Sequence, residues 1–204
     1  IMRTFSLYLL IALFFLDFSA SACQGGSLGG TLSPSSTYQT SAISIGNYYA
    51  VDVTCGNIYN FSFCSNGGSA TWDTQITINE TDNTTQLAYN DDDCGLQSNV
   101  TWMATFTGTI HVLITEFNCS FSGSLSGTLA FNEISVGVNY SASCTTANPD
   151  ISGDDTGTFS FNPVPTDGAL IDPNSGYISN AVQGANYTVE YTHCGVTLLI
   201  PVTM

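Results

Sequence analysis

The sequence predicts an all-β protein, a jelly-roll-like β-sandwich followed by a smaller immunoglobulin-like β-sandwich. Three observations carry that expectation. Apolar and polar residues alternate with a period of two over most of the chain. Clusters of Gly, Asn and Asp recur between short runs rich in Val, Ile, Thr, Tyr and Phe. The residue types that build helical bundles are scarce, and only 8% of the 204 residues are charged.

Residues 1–22 read as a secretory signal peptide: Arg3 in the leader, an apolar run from Phe5 to Leu16, and Ala20-Ser21-Ala22 as a small-residue cleavage site. That run is well short of the ~20 residues a membrane-spanning helix needs, and no later stretch is longer, so no transmembrane segment is expected. Cys23 follows the cut directly, which also makes it the candidate acceptor of a lipid anchor in a degenerate lipidation box. Residues 23–37, rich in Gly and Ser, predict a flexible lead-in. The first sandwich is expected over 38–133, with strands at 38–43, 48–54, 58–64, 74–79, 85–89, 99–105, 109–116 and 126–132. The second is expected over 134–204, with strands near 137–143, 157–162, 177–179, 187–191 and 196–202.

Charge narrows the function classes. The chain has 16 acidic residues against one cation and a formal net charge of -15. That cation is Arg3, so signal-peptide removal leaves no Lys or Arg at all. A phosphate-binding footprint is absent, which excludes nucleic acid as a main partner, and nothing is available to clamp an anionic substrate. Twelve Phe, ten Tyr and two Trp argue against acidic disorder.

Seven cysteines, at 23, 55, 64, 94, 119, 144 and 194, suit an exported chain in which disulfides persist. A hairpin turning at Thr107-Gly108 would place Cys94 opposite Cys119, within disulfide reach. Cys144 and Cys194 are expected to staple the second sandwich. Cys23, Cys55 and Cys64 are left without an assigned partner.

The candidate metal site is Asn90-Asp91-Asp92-Asp93 with Asp73. Hard oxygen ligands suit Ca²⁺; the bland alternative is a solvated acidic turn with a local Asx bond. Asp150, Asp154 and Asp155 form a lesser cluster between the two sandwiches. Among catalytic signals, Gly25-Gly26-Ser27-Leu28-Gly29 spells G-x-S-x-G but lacks the strand-turn-helix setting of a nucleophile elbow. Alternation puts His111 on an outward strand face, and His193 adjoins a cysteine assigned to a disulfide. No catalytic residue is expected, and the chain is read as a non-enzyme. Sequons at Asn60, Asn79, Asn83, Asn99, Asn118, Asn139 and Asn186 are read as a product of composition. Trp72, Trp102, Tyr48 and Tyr49 are the first candidates for a sugar platform, although burial in the core is the favoured reading for most of them.

Four blocks carry a resemblance: Gly46-Asn47-Tyr48-Tyr49, Tyr59-Asn60-Phe61-Ser62-Phe63-Cys64, Trp72-Asp73-Thr74-Gln75-Ile76, and Tyr89 through Ser98 with its run of three aspartates. Over residues 36–132 the chain resembles a secreted Bacteroidota module similar to the bacterial pre-peptidase C-terminal (PPC) domain, a jelly-roll-like β-sandwich appended to exported proteases and adhesins. The second block, through Gly157-Thr158-Phe159-Ser160, the turn at 171–176 and Tyr187 to Thr192, resembles the Ig-like repeats of bacterial surface adhesins. The resemblance implies a non-catalytic secreted or cell-surface module for binding or adhesion, with an extracellular glycan, matrix or surface-protein ligand, and the aspartate loop adds Ca²⁺ as the expected stabilising ion. The alternative it implies is a non-catalytic fragment of an exported multidomain hydrolase, serving as a carbohydrate- or matrix-binding appendage.

Overall fold

The computed structural model describes residues 23–121, 123–153 and 155–204. The signal-peptide expectation for residues 1–22, and Asp154 of the lesser acidic cluster, lie outside the described residues. Among the described residues, all regular elements except a single 3-10 turn at Phe117–Cys119 are strands. They are β1 (Ser27–Leu32), β2 (Gln39–Ser44), β3 (Asn47–Val53), β4 (Ile58–Ser62), β5 (Thr74–Asn79), β6 (Gln86–Asn90), β7 (Asn99–Met103), β8 (Gly108–Glu116) and β9 (Ser126–Ile134), then β10 (Gly137–Ala142), β11 (Ala147–Ser152), β12 (Thr158–Phe161), β13 (Leu170–Ile171), β14 (Ile178–Ser179), β15 (Asn186–His193) and β16 (Val196–Thr203).

In the first sandwich a five-stranded sheet, β1-β3-β8-β5-β6, faces a four-stranded one, β2-β9-β4-β7. Alternation supplies the core: Tyr49, Val51 and Val53 from β3 and Ile110, Val112 and Ile114 from β8 meet Tyr59, Phe61, Leu129 and Phe131 from the opposite sheet. The second sandwich opposes β10-β11-β14-β13 to β12-β15-β16, around Val138, Phe159, Phe161, Ile178, Val189 and Tyr191. Three tyrosine corners lock the loops entering strands: the hydroxyls of Tyr49, Tyr59 and Tyr187 each accept a hydrogen bond from the backbone N–H five residues earlier, at Ser44, Thr54 and Val182.

Four expectations are corrected. The lead-in of 23–37 is not loose: β1 pairs with β3 in parallel, and Cys23 is fully buried. Its glycines serve close approach, since a Cβ on Gly29 would lie 2.8 Å from the Tyr49 ring. The turn at Thr107-Gly108 joins two sheets rather than closing a hairpin, because β7 pairs with β4 while β8 lies between β3 and β5. Cys94 and Cys119 therefore do not face each other; the disulfides are Cys23–Cys119, Cys55–Cys194 and Cys64–Cys94. The Cys144–Cys194 staple also fails. Cys194 sits with Gly195 at the β15–β16 turn, both at positive φ, facing the first sandwich, and Cys144 is free and exposed. Finally, the Cys23 sulfur is consumed by its disulfide, which leaves none for a thioether-linked lipid anchor.

Two strands were not anticipated beyond β1. β11 is polar and contains Pro149, tolerated because its side facing β14 makes only one ladder pair, Ala147 with Ile178. β13 has two residues. The two sandwiches meet where Asn57 Oδ1 accepts the Val136 N–H at 2.9 Å, beside the Cys55–Cys194 bond. Gly56 lies under the His193 ring, where a Cβ would come within 2.7 Å of it.

Candidate functional site

The chemistry-bearing side chains gather at one end of the first sandwich, where β5 begins, β8 ends and the β6–β7 loop passes between them. Antiparallel register sets Thr74 opposite Glu116, and Phe117 N–H donates to the Asp73 carbonyl at 3.2 Å. The loop is held by the Cys64–Cys94 disulfide, by the Asp93 and Cys94 N–H groups on the Gln97 carbonyl, and by Thr74 N–H on the Leu96 carbonyl at 2.9 Å. Beneath it, Ser98 N–H donates to Thr74 Oγ1 at 2.7 Å.

The five oxygen-bearing residues expected for a metal divide by this geometry. Asn90 Oδ1 accepts the Asn99 backbone N–H at 3.1 Å, and Asp93 Oδ2 accepts from Asn99 Nδ2 at 3.0 Å, so both side chains hold the loop. Asp73 has a buried Oδ1 with no hydrogen-bond partner. Burial, and then the negative fields of Asp92, Asp91 and Glu116, push its carboxyl above the usual range. Glu116 thus joins the group, although no local motif points to it; only the β5–β8 register brings it beside Asp73. Among the described residues, no three of these carboxylates bring their ligand atoms within 4.8 Å of one another. Among the described residues, the one trio whose ligand atoms all lie within 4.8 Å is Cys55, His193 and Cys194. Its sulfurs form a disulfide, so they are not thiolate ligands, and a zinc reading fails.

Apolar side chains surround this acidic rim. Leu96, Phe117 and Phe121 are 56%, 55% and 43% exposed, and Phe121 packs its ring edge over Gly46. The aromatic residues named from sequence mostly follow the burial reading. Trp72, Trp102 and Tyr49 are buried in the core, and Tyr48 stacks on His111 with ring centroids 4.2 Å apart. His111 also bonds Asn83 through Nδ1 at 2.7 Å; burial lowers its pKa, which favours the neutral imidazole. Ser27 of the G-x-S-x-G string opens a strand, not a helix. Asn60 and Asn79 are buried acceptors and donors of the fold, which removes them as glycan attachment points. Among the described residues no helix is long and apolar enough to cross a membrane.

Fold and rim together define a disulfide-tied β-sandwich protein with an acidic, partly apolar end. Residues 38–138 match the model of a family described as a domain of unknown function, DUF8695. No curated protein matches the chain. Two solved structures resemble it: a periplasmic inhibitor of g-type lysozyme from Aeromonas hydrophila (9% identity, TM-score 0.37, covering 53% of this chain and 99% of that one), and the pre-peptidase C-terminal domain of a collagenase from Bacillus anthracis (13% identity, TM-score 0.36, covering 54% and 99%).

Proposed function

We propose that the protein is a non-catalytic, exported binding module that docks through the acidic end of its first sandwich, steadied there by calcium. The observation that carries this reading is Asp73. A buried carboxylate oxygen without a donor, flanked by three further carboxylates in a chain whose described residues include no Lys or Arg, calls for a cation. Asp73, Asp91, Asp92 and Glu116 would supply the oxygens Ca²⁺ prefers, and a bound ion would offset their mutual repulsion. Exposed Leu96, Phe117 and Phe121 beside the rim give the module an apolar contact of the kind found at interface centres. Disulfides fit export to an oxidising compartment. In this reading residues 134–204 are an Ig-like repeat that spaces or presents the first unit, and the ligand is an extracellular glycan, matrix component or surface protein.

The test has two arms. Millimolar Ca²⁺ should raise the Tm of EDTA-treated protein by several degrees, and Asp73→Asn should abolish the rise; no shift in wild-type protein removes the ion. A glycan and matrix-protein array probed with the oxidised chain should give signal that Phe117→Ser with Phe121→Ser removes. Signal that survives this double substitution would place docking elsewhere.

A further inference from the structure

The outer face of the five-stranded sheet, opposite the core, carries a second unexplained group. All six positions of β5 are buried: Ile76 and Ile78 point to the core, and Gln75, Thr77 and Asn79 point outward, under the residues that precede β1. Cys23 lies across this face. Its carbonyl accepts from Asn79 Nδ2 at 3.0 Å, and its sulfur is 3.7 Å from the Thr115 hydroxyl. Asn79 is paired with His111, Thr77 with Leu113 and Gln75 with Thr115. A residue that touches both Asn79 and Thr115 therefore spans the ladder over Thr77 and Leu113. The Cys23–Cys119 disulfide pins it there.

Most of this polar layer is satisfied: Gln75 Oε1, for example, accepts the Cys119 N–H at 3.2 Å. Two atoms are not. Thr77 Oγ1 and Asn79 Oδ1 are buried without a hydrogen-bond partner, and both residues are 0% exposed. Buried polar atoms without a partner are rare in native proteins; Asn79 Oδ1 can only accept and so lacks a donor, and the Thr77 hydroxyl is able to accept one too. One of the two atoms belongs to Asn79, whose amide holds the Cys23 carbonyl, and the other to Thr77, between the two positions that Cys23 touches; Cys23 is the residue whose nitrogen the sequence expects to be changed by processing. When the Ala22–Cys23 amide bond is hydrolysed, water supplies the oxygen of the new Ala22 carboxylate, and the Cys23 nitrogen keeps the electron pair and takes up protons. It becomes an α-ammonium, with three donors in place of one and a full positive charge.

We propose that Thr77 and Asn79 form a receptor for the chain's own mature N-terminus: cleavage after Ala22 creates a Cys23 α-ammonium that donates to Asn79 Oδ1 and Thr77 Oγ1. The inference rests on the export reading. It gives the cut a structural consequence, because the charge that completes the buried layer does not exist before processing. The disulfide supplies the position and the cleavage supplies the donor. Residues 23–204 contain no Lys or Arg and two His, so this ammonium brings a positive charge to a stretch nearly devoid of them, on the sheet face beside the half-buried His111.

The full chain should be secreted from a bacterial host, and its N-terminus read by intact mass. Three measurements follow on the product: Tm; the α-amine pKa, from ¹⁵N-cysteine-labelled protein titrated by NMR; and both again in a variant with Gly-Ser inserted between Ala22 and Cys23. The native product should titrate at least one unit above the usual α-amine value of about 7.7–8.0. The insertion should return it to that value and lower Tm by several degrees. Thr77→Val should lower Tm in the native chain and leave the inserted variant unchanged. An α-amine with the ordinary pKa in the native product, or equal Tm with and without the insertion, overturns the proposal. Should the inserted variant fail to fold, the native titration alone decides. An uncleaved, retained chain would defeat the export reading itself; cleavage at another bond would leave export standing and defeat only this inference.

Discussion

The two sandwiches are held together by different means. The first has a large core around Tyr59, Phe61, Phe63 and Leu129, together with two disulfides, Cys23–Cys119 and Cys64–Cys94, that fasten its N-terminal strap and its acidic loop. The second is smaller, contains two strands of two residues and has no disulfide of its own among the described residues. Its one bridging cysteine, Cys194, reaches out to Cys55 in the first sandwich. A small core is the usual place to expect a staple. Here the cross-links fasten loose segments and a junction, and the smaller sandwich borrows rigidity from its neighbour.

The comparison can be broken most strongly in the cores. Phe61→Ala should cost the first sandwich about 4 kcal/mol, and Phe161→Ala should cost the second about 3 kcal/mol. Trp72 and Trp102 both lie in the first core. Urea unfolding followed by Trp fluorescence should therefore shift with Phe61→Ala and hold with Phe161→Ala, whereas far-UV circular dichroism should respond to both. Equal shifts in fluorescence would mean that the two sandwiches unfold as one unit.

Removing the tether comes next. Cys55→Ser with Cys194→Ser should cost roughly 2–4 kcal/mol, falling on the second sandwich and exposing the junction around Gly56 and His193. Limited proteolysis should then cut between Ile134 and Gly137. Resistance there would show that the Asn57–Val136 contact holds the junction without the disulfide.

A smaller effect of opposite sign is expected at Asp73. Its carboxyl is held above the usual range, so its charged form opposes folding, and that opposition is relieved as pH falls through the raised value. In calcium-free buffer Asp73→Asn should raise Tm by a few degrees at pH 7, with the gain gone below the ordinary carboxylate value of about 3.9. A gain that persists at lower pH would assign it to packing rather than to charge.

Asp82 and Asp172 should give the smallest shifts. Asp82 is held well below the usual range by the N–H groups of Thr84 and Thr85 and the Thr85 hydroxyl. Asp172 is held low by the N–H groups of Ser175 and Asn174. Folded values below unfolded ones mean a stabilisation that is present above the usual carboxylate range and lost as pH falls through the lower folded values. Asp82→Ala and Asp172→Ala should each reduce Tm slightly at neutral pH and leave it unchanged in strong acid, as scanning calorimetry at two pH values would show.

Much of the strand pattern was legible in the sequence because alternation reports burial directly. The run 74–79 is reproduced residue for residue as β5, and 137–143 and 196–202 lie within a residue or so of β10 and β16. β1 escaped notice because its glycines read as looseness, although they allow the strand to lie against Tyr49; β11 escaped because Pro149 reads as an interruption. At the candidate site, Asp73 and the aspartate run could be named from sequence, yet Glu116 could not, and Asn90 and Asp93 turned out to serve the loop.

By itself the sequence determined local quantities: an all-β chain, strands with one apolar face, a strongly acidic composition and cysteines suited to an oxidising compartment. Each depends on residue type and short-range period, which survive without knowledge of partners. The tertiary structure alone decided which cysteines meet, that Glu116 stands beside Asp73, and that Cys23 reaches both Asn79 and Thr115. Those follow from which strands cross from one sheet to the other. A turn such as Thr107-Gly108 has the same composition whether it closes a hairpin or bridges two sheets, and only the packing of the two faces distinguishes them.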